Sequence, residues 1–337
     1  MNAIFEKVKK NPSIYYSMMI AATWAGAGSL IVGMTMAQKF GIIPYIIWAI
    51  GNTLACIVFG LLAMKVPKLV EVAMSKPVKI IVGFMCCFQI WVNMQGIFEA
   101  LSGTMVGVTA AKVVVYVCSL FFIFYYLTMP MLKNVTFDHM TWIVVYGLII
   151  SLMIVSYSIN GASSLSLGLE HAGIMNATKK AIMLIPGCFL YPVFWEMIIY
   201  NEKNEDGTAK TDIRSCFIAG GLLFGLYLVF VFLLAFTSFS PVMNLIKGIL
   251  ISFVAISSVA SFIYSVFITF GKKFGTVVNL FAVGGWVYMI PLGVLGLWTR
   301  MAEIRIVIVF IEFLVAAGIY YAEKRKVKVD VEEGQVL

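Results

Sequence analysis

The groups best suited to chemistry in this chain are polar atoms set inside apolar runs. Val254-Ala255-Ile256-Ser257-Ser258-Val259-Ala260-Ser261 places the adjacent hydroxyls of Ser257 and Ser258 deep in a hydrophobic segment. Serines in helices bond the carbonyl of the preceding turn, so the pair alone is compatible with a structural role. A second stretch, Thr23-Trp24-Ala25-Gly26-Ala27-Gly28-Ser29-Leu30-Ile31-Val32-Gly33, loosens another apolar segment at about mid-depth. A helix broken inside hydrocarbon leaves peptide groups without partners, at several kcal/mol each. Such a break persists where protein, water, an ion or a ligand answers those groups, so Ala25, Gly26, Ala27 and Gly28 are read as the floor of a binding site. Close helix packing through small residues is the alternative reading of the same glycines. Taken together, two hydroxyls and the carbonyls of an opened helix make an all-oxygen cage suited to a hard monovalent cation. A single charge needs no carboxylate there.

Gln89 and Asn93 are four residues apart, share a helical face near mid-depth and are candidate substrate ligands. Trp24, Trp91, Phe189, Tyr191 and Phe194 can wall a pocket, lipid or core contact being the commoner fate of any single aromatic in such a chain, while Glu99 and Glu196 lie nearer the ends of their segments and suit gates or interfaces. Glu312 sits in the middle of Ile308-Val309-Phe310-Ile311-Glu312-Phe313-Leu314-Val315. A carboxyl at membrane depth is a functional hypothesis by default. It can couple protons, act in a gate, or make a structural hydrogen bond, with Arg305, seven residues earlier on the same face, as its candidate partner. No nucleophile–base constellation or carboxylate pair recurs across the segments, so the chain does not read as an enzyme. His139 and His171 are too few and too poorly placed for a metal site, and the six cysteines lie in apolar runs without metal spacing.

These residues must be positioned by membrane helices. The chain has 337 residues, 62% of them hydrophobic and 12% charged, with a mean hydropathy of +0.99. A soluble domain would carry about 25% charged residues. The formal charge of +8 does not indicate nucleic acid, because the basic residues punctuate the apolar segments. Ten membrane-spanning helices are expected, over residues 15–37, 42–64, 79–101, 113–132, 140–158, 180–200, 215–237, 247–270, 275–298 and 303–322. Lys7, Lys9 and Lys10 ahead of Ala25-Gly26-Ala27 resemble a cleavable signal, but the apolar character runs on to Ala37 and the segment is kept as a helix. Of the 24 lysines and arginines, only Lys39, Lys112, Lys179, Lys180, Lys247, Arg300 and Arg305 fall on the outer side when both termini are cytoplasmic. The positive-inside rule favours that orientation.

The longest outer connection, residues 159–179, divides the chain five and five, with a first repeat over 15–158 and a second over 180–322. An odd number of spans per half forces opposite orientation, as in an inverted repeat. Span six opens the second half and is also interrupted, reading Ile185-Pro186-Gly187-Cys188-Phe189-Leu190-Tyr191-Pro192, with two prolines that each remove a backbone donor. Broken helices at matching positions of two halves point to a transporter site at their interface. The first ten residues suit a short amphipathic helix, residues 201–208 a solvated turn, residues 323–337 a charged tail, and Asn176-Ala177-Thr178 is an outer-side sequon.

Thr23-Trp24-x-Gly26-x-Gly28-Ser29-x-x-x-Gly33 followed by Phe40-Gly41 resembles the first core helix of sodium:solute symporters. Val254-Ala255-Ile256-Ser257-Ser258 resembles their eighth core helix, and Tyr191-Pro192-x-Phe194-Trp195 is similar to their sixth. The resemblance implies an all-α integral membrane protein of the leucine-transporter fold, ten helices in a 5+5 inverted repeat with helices one and six broken. It also implies sodium held by the carbonyls of Thr23, Gly26 and Val254 and the hydroxyls of Ser257 and Ser258. The flanking helices usual in that family are missing, which widens the likeness to the amino acid–polyamine–organocation group. Proton-coupled relatives replace the cation with a basic residue in span five. Residues 140–158 contain no Lys or Arg, which favours sodium. The expected function is a sodium-coupled symporter of the cell membrane, importing a small polar or zwitterionic metabolite such as an amino acid. The alternatives are a proton-coupled transporter using Glu312 and a ligand-sensing subunit that keeps the fold without transport.

Overall fold

A computed structural model describes residues 12–128, 134–160, 173–199, 211–237 and 240–334, all of the regular structure in them helical. The first eleven residues, the turn at 201–208, His171, most of the connection after residue 160, and Lys133 lie outside the described residues. Among the described residues, five helices are long and apolar enough to cross a membrane, or seven if each of two bent helix pairs is one span.

The first bent pair is α1 (Pro12–Trp24) and α2 (Ala27–Phe40), whose axes meet at 65°. Gly26 between them is extended, at φ −121° and ψ −178°. A Cβ there would stand 2.7 Å from Asn93 Oδ1 and 3.2 Å from Ser258 Oγ, so a side chain at this position would displace the groups that hold the break. The second pair is formed by α8 (Ile174–Leu184), which tightens into a 3-10 turn over Ile185–Leu190, and α9 (Pro192–Ile199), bent by 51°. Pro186 and Pro192 cannot donate to the helical ladder, and the chain passes between the two pieces through extended Tyr191. The freed carbonyl of Phe189 accepts the Trp195 indole N–H at 2.6 Å.

Between these pairs stand α3 (Ile42–Leu62), the short α4 (Leu69–Ala73), α5 (Lys76–Ser102), α6 (Gly107–Thr128) and α7 (Asn134–Asn160). α10 (Ile213–Ala235) is capped by Asp212, whose side chain accepts the Ser215 amide at 3.2 Å. α11 (Pro241–Gly285) has 45 residues, about 68 Å if straight, far beyond the ~30 Å of a hydrocarbon core. It is not straight. Gly271 takes φ 72° and ψ 170°, a conformation that favours glycine, and the chain folds back there. Asn279 Nδ2 reaches the Ile263 carbonyl at 3.1 Å, and Gly275 lies against Phe267. These pairings are symmetric about residue 271, as a helical hairpin requires. The first arm covers the segment expected at 247–270; the second ends at Gly285, so the segment expected at 275–298 is not one helix but runs through a 3-10 turn into the start of the next.

After a 3-10 turn over Trp286–Leu292, α12 (Gly293–Gly334) closes the fold. α12 runs on through the charged stretch that starts at residue 323 as far as Gly334. The Asn176-Ala177-Thr178 sequon is not in a loop but inside α8, where the Thr178 hydroxyl donates to the Ile174 carbonyl.

α5 is the central post. Its Gly83 packs on Phe270 and Thr269, and Gly248 packs on the Ala100 carbonyl, so the first arm of α11 runs antiparallel along it. Trp91 Nε1 donates to the Ala282 carbonyl at 2.7 Å, and Glu99 Oε1 accepts the Val294 amide at 2.8 Å, so the second arm runs parallel to it. Lys68 pairs with Glu323 at 2.9 Å, and Lys272 Nζ donates to the Leu127 carbonyl at 3.3 Å, whereas Glu99 meets the start of α12 at the other end of α5.

Candidate functional site

Both breaks open onto one small cavity. It is lined by Thr23, Trp24, Gly26, Gly28 and Ser29 of the first pair and by Leu184 and Tyr191 of the second. α3 contributes Trp48 and Asn52, α5 Gln89, Val92 and Asn93, α11 Ser258 and Phe262, and α12 Trp298, Met301 and Arg305. Its volume is about 30 Å³, room for about two waters.

The first break is held from two sides. In a continuous helix the Ala27 amide would answer the Thr23 carbonyl; here it donates to Asn93 Oδ1 at 2.8 Å. Asn93 is aimed by its own amide group, which donates to the Gln89 carbonyl one turn earlier at 2.8 Å. On the other side the Ser258 hydroxyl donates to the Ala25 carbonyl at 2.8 Å, with a longer 3.4 Å approach to the Val254 carbonyl. The Gly26 carbonyl faces into α2 and accepts the Ser29 amide at 3.0 Å and the Ser29 hydroxyl at 2.7 Å.

The two breaks also touch each other. A Cβ on Gly187 would collide with Trp24 Cη2 and stand 2.5 Å from Arg305 Nη1, so the 3-10 turn lies directly against both side chains. The Trp24 indole packs on Tyr191, ring centroids 5.4 Å apart, and its Nε1 donates to the Asn52 carbonyl at 3.1 Å. Gln89 Nε2 donates to the Tyr191 hydroxyl at 3.0 Å, tying α5 to the second break.

Of the residues singled out from sequence, Thr23, Trp24, Gly26, Gly28, Gln89, Asn93, Tyr191 and Ser258 line this cavity. Ala25 and Ala27 contribute their backbone groups to it through Ser258 and Asn93. Val254 lies one turn before Ser258, and Ser257 is buried beside it without lining the cavity. Phe189 and Phe194 sit behind the cavity. Phe194 stacks on Tyr191 at 5.2 Å, and both rings pack on Phe59. Trp91 belongs to the contact between α5 and the hairpin, and Glu99 caps the start of α12.

Glu312 is 1% exposed and both carboxyl oxygens lack a hydrogen-bond partner among the described residues. The expected pairing with Arg305 is not formed, since the ion pairs among the described residues are Lys68 with Glu71 and with Glu323. Arg305 turns instead into the cavity, its guanidinium 5.9 Å from the Trp24 ring centroid and 3.3 Å from Met301 Sδ. Sequence reasoning counted Arg305 as a flanking charge and missed Asn52, Trp298 and Met301. A signal was present: residues 298, 301 and 305 are spaced three and four apart, which places them on one helical face.

The chain is a helical membrane protein with several spans. No protein-family model matches it, and no curated protein matches it.

Proposed function

We propose that the chain is a cation-coupled secondary symporter with ten membrane helices in a 5+5 inverted repeat and both termini in the cytoplasm. Sodium is the coupling ion, and the cargo is a small polar or zwitterionic metabolite imported by alternating access. One observation carries the reading. Two bent helix pairs turn their breaks toward each other around a single buried polar cavity, Trp24 resting on Gly187 and Tyr191. The hairpin at Gly271 supports counting α11 as two spans. The donor set near the first break, Ser258 Oγ on the Ala25 carbonyl beside Thr23, is all oxygen and suits sodium.

Sodium lodged there would tie α1 to α11, and its entry down a potential supplies about 2.3 kcal/mol per charge for each 100 mV. The cavity holds the recognised group of a metabolite rather than the whole of it, so transport requires the broken pairs to swing. The test is uptake of a radiolabelled amino-acid mixture into proteoliposomes under an inward sodium gradient. Accumulation above that in potassium or choline is expected. Equal uptake in all three cations overturns the sodium assignment, and binding without accumulation returns the chain to a sensing role.

A second reading, proton coupling through Glu312, is favoured by that carboxyl being buried with both oxygens unanswered. Uptake driven by an inward pH gradient without sodium would select it.

A further inference from the structure

Three residues that line the central cavity carry hydrogen-bond donors with no oxygen acceptor among the described residues. Arg305 is 2% exposed, and a guanidinium stays charged at any physiological pH. Among the described residues it has a thioether and an aromatic face as partners but no carboxylate or carbonyl oxygen. Asn52 Nδ2 and Trp48 Nε1, on residues 3% and 0% exposed that line the same cavity, have no acceptor either. A buried cation without a counter-charge is costly, and each buried donor left without an acceptor adds to that cost. No carboxylate among the described residues answers Arg305: Glu99 caps α12, and Glu312 forms no pair with it. The amide at the start of α2, the other natural seat for an anion, is already taken by Asn93.

We infer that this cavity is an anion subsite in which Arg305, with Asn52 and Trp48, binds the carboxylate of the solute. A carboxylate accepts from a guanidinium in a paired, planar geometry and has lone pairs left for the two neutral donors. The inference rests on the transport reading for its biological use and narrows the cargo of that site to carboxylate-bearing solutes. The binding chemistry itself holds whether or not the protein transports.

The test uses the full chain in detergent micelles, with formate and glycine against the uncharged formamide and the cationic glycinamide, read by melting temperature and tryptophan fluorescence. Formate is the smallest carboxylate probe for a cavity of about 30 Å³, and Trp24, Trp48 and Trp298 line it as fluorescent reporters. A saturable response to formate and glycine, and none to the amides, is expected. Arg305→Gln should weaken that response about tenfold or more, with Arg305→Lys intermediate. Asn52→Asp places a carboxylate inside the cavity, and should raise the unliganded melting temperature while removing the formate response. Equal response to formate and formamide, no saturable response to either carboxylate, or an unchanged response in Arg305→Gln or in Asn52→Asp overturns the subsite. Carboxylate binding without accumulation under either a sodium or a proton gradient leaves the subsite standing and removes transport; accumulation without carboxylate preference does the reverse.

Discussion

Asn93 Oδ1 accepts the Ala27 amide at 2.8 Å and lies where a side chain on Gly26 would have to stand, 2.7 Å from the position of its Cβ. One side chain of α5 therefore both answers the break in the first helix pair and requires the glycine that makes it. The fold and the site share this contact.

Asn93→Ala should destabilise the protein by about 1–3 kcal/mol, the cost of a buried amide left unanswered. Gly26→Ala should cost a similar amount through overpacking. Because Asn93 is the obstacle to a methyl at residue 26, the double variant should be less destabilised than the sum of the singles. Melting temperatures of the four proteins in one detergent measure the coupling, and strict additivity would mean the two residues act independently.

Ser257→Ala with Ser258→Ala should abolish sodium stimulation of uptake while leaving a folded protein. The lost bond to the Ala25 carbonyl is worth about 1 kcal/mol, too little to unfold a domain. Proteoliposome uptake in sodium against choline decides it, and unchanged sodium dependence returns the hydroxyls to a structural role.

The first break and its partner were legible in the sequence because each is marked locally. Gly26 and Gly28 loosen one helix, Pro186 and Pro192 interrupt the other, and hydroxyls such as Ser258 stand out against an apolar run. What faces the cavity from α12 was not legible. Helical spacing puts Trp298, Met301 and Arg305 on one face, yet nothing local says whether that face meets lipid, water or protein, and an arginine near a helix end reads first as an anchor. The same limit left Phe189 and Phe194 open between pocket wall and core contact, and they pack on Phe59 behind the cavity. The reversal at Gly271 was marked by Gly271-Lys272-Lys273, a polar break between two apolar runs.

Glu312→Gln separates two roles for the buried carboxyl. The amide keeps the shape and can never release a proton, so a proton-coupled carrier should lose the pH dependence of uptake. An unchanged pH profile of uptake in the variant would leave Glu312 as a packing residue of α12.

Asp212 offers a pH effect of known sign. The Ser215 hydroxyl and amide hold its carboxyl below the usual range. A depressed folded value means the stabilisation is present above the ordinary Asp value of about 3.9 and lost as pH falls through the folded one. Asp212→Ala should lower stability by about 1 kcal/mol at neutral pH, and the gap between the two proteins should close in acid. A gap that persists at low pH would show that the cap does not depend on the charge of the carboxylate.

α12 begins at the cap provided by Glu99, passes the cavity at Arg305, and reaches Lys68 through Glu323. Those last two contacts are eighteen residues apart on one helix, about 27 Å at the usual rise. The helix is thus a lever with one arm against the trapped guanidinium and the other latched to the turn before α4. A tilt too slight to matter at the inner contact would be magnified at the latch, so a spectroscopic label beside Lys68 would register what happens around Arg305.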